Sequence, residues 1–257
     1  MYNPRCKVVI VLPAYNAAKT LLRTVAEIPD TYARHIILVD DASVDDTVAI
    51  AKAAGLVVYR HAQNRGYGAN QKTCYQYALA DDADIVVMVH PDHQYDATVI
   101  PNLVAPIQAG EADAVFGSRM LGGYPLEGGM PRWKYVANVL LTAVANIVFG
   151  RYMTEIHSGF RAYSRIYLET VRFEENSDDF VFDTEIIAQG MAAKLRFQEV
   201  PIVTRYFPEA SSINFRRSVV YGVGVLAVLL RYALHQAGLR SYQRLAPKPK
   251  QTLPTQQ

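Results

Sequence analysis

The chain has 257 residues, enough for one large α/β domain with a real core, or one domain plus an appendage. A net charge of +2 carries no global nucleic-acid signature, so no nucleic-acid partner is expected. Cys6 and Cys74 are the only cysteines, which excludes a disulfide framework and favours a reducing compartment.

Residues Met1 to Lys7 do not have the pattern of a signal peptide. Val8 to Leu12 is a continuous apolar, β-branched run and reads as a buried parallel strand. Pro13-Ala14-Tyr15-Asn16 breaks it, with Asn16 as the expected N-cap of a helix from Ala17 to Ile28. A strand Ile36 to Val39 ends in Asp40-Asp41-Ala42-Ser43, and Asp45-Asp46 precede a helix through Ala53. A third strand, Leu56 to Tyr59, leads to the glycine-rich loop Asn64 to Asn70 and a helix to about Leu79. The fourth strand is Ile85 to Val89, followed by a helix from Ala97 to Gln108 and a strand at Ala114 to Phe116. This alternation predicts an α/β fold with a mostly parallel central sheet, Rossmann-like and flanked by helices.

Beyond Phe116 the pattern changes. Gly117-Ser118-Arg119 ends the fifth strand with a fixed cation, and Leu121 to Arg132 reads as a mobile loop. Tyr135 to Phe149 is an apolar helix with Asn138, Thr142 and Asn146 in one narrow stripe. His157 to Tyr163 reads as a polar turn, and Asp183 as the N-cap of a helix to about Ala192. Leu195 to Val200 and Ile202 to Tyr206 read as strands joined at Pro201.

The fourth strand runs directly into His90-Pro91-Asp92-His93-Gln94. Ligands collect outside the carboxyl ends of strands in open α/β sheets. Oxygen ligands from Asp92 and Gln94 suit a hard cation, and the His90 imidazole can join a Mn²⁺ site. The same residues also fit a solvated polar turn. The glycine loop lacks the dinucleotide fingerprint, and no phosphate-binding Gly-Lys-Ser/Thr loop occurs. A carboxylate such as Asp41 after the second strand suits a ribose hydroxyl or a base N–H.

Taken in order, these segments resemble the family-2 glycosyltransferases of the GT-A type, and among them the dolichyl- or polyprenyl-phosphate sugar synthases. The resemblance rests on Pro13-Ala14-Tyr15-Asn16, Val39-Asp40-Asp41-Ala42-Ser43, Asn64 to Ala69, His90 to Gln94, Gly117-Ser118-Arg119, Ser158 to Arg161, and Glu199 to Ile202 with Arg205-Tyr206. It covers roughly residues 7 to 212. It implies an inverting transfer of a sugar from a UDP- or GDP-sugar, with Mg²⁺ or Mn²⁺ as cofactor. It implies metal ligation by Asp92 and Gln94; His90, standing where the family carries Asp, is a third ligand, a contact through water, or a contact to the ribose. It places Pro13, Tyr15, Asn16, Val39, Asp41, His90, Pro91, Asp92, Arg119 and Arg205 at the nucleotide sugar. Asp92 and Arg119 carry the transfer itself. In the mannosyl branch a Lys follows Glu-Ser; here the chain reads Glu209-Ala210-Ser211-Ser212, which argues against GDP-mannose.

The acceptor decides whether a base is needed. A lipid phosphate is already an anion, whereas a sugar hydroxyl must lose a proton. Asp183 and Glu185 are the candidate bases, and helix capping is their structural alternative. Val219 to Leu230 is apolar, with Arg217, Tyr221, Gly224, Arg231 and His235 on one helical face. The run is shorter than the ~20 residues of a membrane span. Its pattern is that of a helix lying in the headgroup plane. Its alternative is a helix packed within a soluble enzyme or at a homodimer seam. The expected organisation is a catalytic domain over 1–212, an interfacial helix over 213–239 and a basic, disordered tail over 240–257. The expected location is cytoplasmic and peripheral, on the inner face of the membrane, with a polyprenyl phosphate as acceptor.

Overall fold

The computed structural model describes residues 6–121, 125–206 and 215–249. Seven strands form one sheet: β1 (Val8–Ala14), β2 (Ile36–Asp40), β3 (Val57–Arg60), β4 (Ile85–Met88), β5 (Ala114–Ser118), β6 (Arg161–Ser164) and β7 (Phe197–Pro201). Their order is β3-β2-β1-β4-β6-β5-β7. Pairing is parallel for β1 with β2 and β4, for β2 with β3, and for β5 with β7. β6 runs antiparallel between β4 and β5, with Met88 opposite Arg161. The chain first builds outward from β1 through β2 to β3, then returns to lay β4 on the other side. That reversal makes a switch point at β1 and β4, where their carboxyl ends leave a crevice.

The helices are α1 (Leu21–Ala26), α2 (Thr47–Ala53), α3 (Tyr67–Ala80), α4 (Ile100–Gln108), α5 (Arg132–Phe149), α6 (Arg165–Thr170), α7 (Phe182–Ala192) and α8 (Phe215–Gln236). Alternate side chains of β1 serve two cores. Ile10 and Leu12 pack with Leu21, Leu103 and Val104 on one face; Val9 and Val11 pack with Tyr75, Phe182 and Ile186 on the other. The result is a three-layer α/β/α sandwich, as expected of strands buried on both faces.

Several local expectations are corrected. Arg161–Ser164 is a strand rather than a turn, because Arg161, Ala162 and Tyr163 are buried between β4 and β5. Ile202 to Tyr206 is not a strand; only Thr204 bridges to Tyr95. Asn16 does not cap a helix. It takes a left-handed φ of 52°, accepts from Val44 N–H and donates its own N–H to Ser43 Oγ, while α1 begins at Leu21. Asp183 lies inside α7 behind Val181 and caps nothing.

The carboxyl-terminal segment also differs. α8 is longer than the apolar run, and Arg216–Gln236 is long and apolar enough to cross a membrane by length and composition. Yet Val225, Val228, Leu229 and Tyr232 are buried in the core, against α5 and α7, so this helix is built into the catalytic unit. Residues 240–249 are drawn back onto the domain rather than left free. Leu245 is buried, Arg172 Nε donates to the Ala246 carbonyl, and Lys248 pairs with Glu174. The Glu209–Ser212 departure lies outside the described residues.

Candidate active site

A cleft of about 960 Å³ opens at the carboxyl ends of β1, β2 and β4, within the usual range for a small-molecule site. Its floor is Pro13 to Ala17 and His90 to Asp92. One wall is Asp41 with Asn64 to Tyr67; the facing wall is Arg119, Trp133, Lys134, Asn138 and Leu141. His157, Asp183, Tyr206, Arg217 and Tyr221 also line the cleft.

Asp41 shapes the nucleotide side. Its carboxylate accepts from the N–H groups of Arg65 (2.8 Å) and Gly66 (2.9 Å) and bonds His61 Nδ1 (2.7 Å). This ties the glycine loop to the end of β2. Asn70 clamps the same region by donating to the carbonyls of Ala14 and Val39. Val39 itself is fully buried in β2 and does not line the cleft. Gly66 has φ +99°, and a Cβ there would lie 2.6 Å from the Asp178 carbonyl oxygen. Gly66→Ala is expected to destabilise the protein by about 1–3 kcal/mol and to weaken nucleotide binding, measured by thermal unfolding with and without UDP or GDP.

The turn after β4 is held from behind. Thr20 Oγ1 donates to the Pro91 carbonyl (2.6 Å), and Gln94 N–H donates to Asp92 Oδ1 (3.1 Å). Burial raises the Asp92 carboxyl above its ordinary range, partly offset by His90. Asp92 forms no ion pair with a lysine or arginine among the described residues. A partly buried carboxylate without a protein cation fits a metal ligand. No cluster of three His, Cys, Asp or Glu residues exists among the described residues. Asp92, with Gln94 and His90 beside it, therefore fits a cation that completes its shell with phosphate oxygens and water, as Mg²⁺ commonly does. Burial lowers His90 below the ordinary imidazole range, which keeps it neutral near pH 7.

Arg119 is the fixed cation of the facing wall. Its side chain is clasped by Glu155, which accepts from the Arg119 backbone N–H (2.7 Å) and from Nε (2.8 Å), and it donates to Tyr206 Oη (3.1 Å). Glu155 is fully buried and also accepts from Asn138. Glu199 of β7 positions it in turn, accepting from Thr154 N–H, Thr154 Oγ1 and Glu155 N–H. Burial raises the Glu155 carboxyl, but the Arg119 charge and its hydrogen bonds more than offset this and hold it below the usual range. Lys134 is a second cation on this wall, its ammonium pushed down by burial and then by Arg119.

The cleft thus gathers Pro13, Tyr15, Asn16, Asp41, His90, Pro91, Asp92, Gln94, Arg119 and Asp183. It does not gather Arg205 or Glu185. The Arg205 guanidinium is held by Glu27 at 2.8 Å outside the lining. Glu185 turns away to accept from Ser177 N–H (2.6 Å), with Arg231 and Arg244 each 4.0 Å off. Asp183 is in the cleft but engaged: Tyr67 Oη donates to it at 2.9 Å, Gln71 Nε2 at 3.1 Å, and Arg161 pairs with it at 3.2 Å. Sequence reasoning missed Glu155, Tyr67, Lys134, His157 and Tyr221. A glutamate six residues before Arg161 gives no local sign of its partner, because Arg119 lies 36 positions upstream.

The chain is similar to several known proteins. Over 214 residues the chain is 28% identical to the UDP-N-acetylglucosamine–dolichyl-phosphate N-acetylglucosaminyltransferase of Methanococcus voltae, covering 77% of this chain and 85% of that one. It is 27% identical to the dolichyl-phosphate hexose transferase of Haloferax volcanii, covering 88% and 95%. Glucosyl-3-phosphoglycerate synthase from Mycobacterium tuberculosis, solved with Mn²⁺, UDP and glucosyl-3-phosphoglycerate, has the same GT-A fold, with a TM-score of 0.67 at 22% identity over 89% of this chain and 80% of that one. The model of the glycosyl transferase family 2 matches residues 9–172, and the chain belongs to that family.

Proposed function

We propose that the enzyme transfers a sugar from a UDP- or GDP-sugar to a polyprenyl phosphate, with inversion, at the cytoplasmic face of a membrane. The observation that carries this reading is the engagement of both candidate bases. Asp183 is held by Arg161, Tyr67 and Gln71, and Glu185 faces away from the cleft. An acceptor that arrives as an anion needs neither. Relatives named for dolichyl phosphate support the same acceptor class.

Asp41 and the glycine loop bind the nucleoside. Arg119 and Lys134 present cations to phosphate oxygens, Arg119 as a planar fork held rigid by Glu155. Asp92, Gln94 and His90 would hold Mg²⁺ or Mn²⁺. When bound, that cation stabilises the charge developing on the departing diphosphate. The acceptor phosphate attacks the anomeric carbon from the face opposite the leaving group, so configuration inverts.

The membrane contact rests on two helices. α5 and α8 pack side by side, yet each exposes an apolar row: Val136, Val139, Leu140 and Ile147 on α5, and Val219, Val220, Val223 and Leu230 on α8. Leu141 of α5 and Tyr221 of α8 line the cleft as well, so a lipid phosphate reaches the site from this surface. Exposed apolar area of this kind marks an interaction surface. Deleting α8 would strip four core residues, so charge is the cleaner probe. Val220→Glu with Val223→Glu is expected to keep the melting temperature and abolish flotation with anionic liposomes. Unchanged flotation, or a wild-type protein that stays at the bottom of the gradient, would contradict the membrane reading.

A further inference from the structure

His90 stands where the family carries an acidic residue, and its surroundings decide which ring nitrogen is available. Its Nε2 lies 3.2 Å from Tyr67 Oη. Tyr67 Oη has one proton and donates it to Asp183 Oδ2 at 2.9 Å. Its oxygen can therefore only accept from His90, so Nε2 carries the ring's proton. A neutral imidazole has one N–H, which leaves Nδ1 as the lone-pair nitrogen.

The ring is held in this orientation, since a half-turn would put Cε1 in place of Nε2 and lose the bond to Tyr67. Its Nε2–Cδ2 edge lies against Gly159, where even a Cβ would overlap both atoms. Tyr67 stacks on the ring at 5.5 Å between centroids, and Phe180 stacks on Tyr67 at 4.7 Å. Nδ1 is on the opposite ring edge, and His90 lines the cleft beside Asp92. Asp183 is itself anchored by Arg161, whose Nε donates to the Ser158 carbonyl at 2.6 Å.

We propose that His90 offers Nδ1 to the cation beside Asp92, in a tautomer and orientation fixed by the relay from Nε2–H through Tyr67 to Asp183. This rests on the cation-dependent reading of the site. Asp183 and Tyr67 are then positioning residues. The relay has the form that metal-bound histidines commonly use, with the second ring nitrogen donating to a fixed acceptor. A nitrogen ligand in place of a carboxylate also removes one negative charge and shifts preference from Mg²⁺ toward Mn²⁺.

The test is pulsed EPR of Mn²⁺ with UDP or GDP on protein carrying ¹⁵N-histidine. Directly coordinated nitrogen coupling is expected in the wild type and absent in His90→Ala. Tyr67→Phe keeps the stacked ring and removes the relay oxygen; it is expected to weaken Mn²⁺ binding about 10-fold or more. Nucleotide-dependent Mn²⁺ binding without nitrogen coupling would overturn the ligand assignment and leave the cation-dependent reading standing. So would coupling that survives in His90→Ala. Coupling with unchanged Mn²⁺ affinity in Tyr67→Phe would overturn the relay. No nucleotide-dependent Mn²⁺ binding in the wild type would overturn the reading beneath it.

Discussion

Asp92→Ala is expected to leave the fold intact and to lower sugar transfer by roughly 10³-fold or more, since metal-borne stabilisation of transition-state charge amounts to several kcal/mol. The fold should hold because Asp92 makes one local hydrogen bond, to Gln94 N–H, and bridges no two elements. Initial rates with saturating Mn²⁺, set beside thermal unfolding, check both halves. Wild-type rates in this variant, or in excess EDTA, would remove the metal from the account.

Glu155→Ala is expected to have the largest effect on stability, about 3–5 kcal/mol, because it leaves the Arg119 guanidinium buried without its counter-charge. For a chain of this size that corresponds to a fall of about 10 °C in melting temperature. Transfer should fall as well, since Glu155 fixes Arg119 against the cleft. The pair also predicts a pH dependence. The folded-state pKa of Glu155 is depressed, so its contribution is present above the unfolded carboxylate value and lost as pH falls through the folded one. Glu155→Gln should therefore show a shallower loss of stability on the acid side than the wild type. Equal acid-side slopes would show that the pair is not coupled to folding.

The parallel half of the sheet was legible because its strands are continuous apolar runs. Val8 to Leu12, Ile36 to Val39 and Ile85 to Val89 declare themselves as strands buried on both faces. β6 was not legible. Arg161-Ala162-Tyr163-Ser164 is polar by composition, and its burial depends on a guanidinium satisfied by Ser158, Ile156 and Asp183, all remote from simple periodicity. The helix caps failed for a related reason: Asn16 and Asp183 spend their side chains on tertiary partners.

At the site, residues next to strand ends were legible because topology alone brings them together. Arg205 falls outside the cleft lining, and a guanidinium near a family motif gives no sign of Glu27, which lies 178 positions away. Glu199 shows what the sequence motif meant physically. It holds the Thr154–Glu155 backbone, Glu155 holds Arg119, and Arg119 holds Tyr206, so several separate motifs are one hydrogen-bonded wall.

The most direct test of the central claim is product analysis with a labelled nucleotide sugar, Mn²⁺ and liposomes containing a polyprenyl phosphate. UDP-N-acetylglucosamine, UDP-glucose and GDP-mannose would each be supplied in turn. For at least one donor, the account predicts nucleoside diphosphate release that depends on the lipid phosphate, with label recovered in a lipid-linked sugar phosphate of inverted configuration. Label transferred only to a saccharide hydroxyl, or a product of retained configuration, would contradict it.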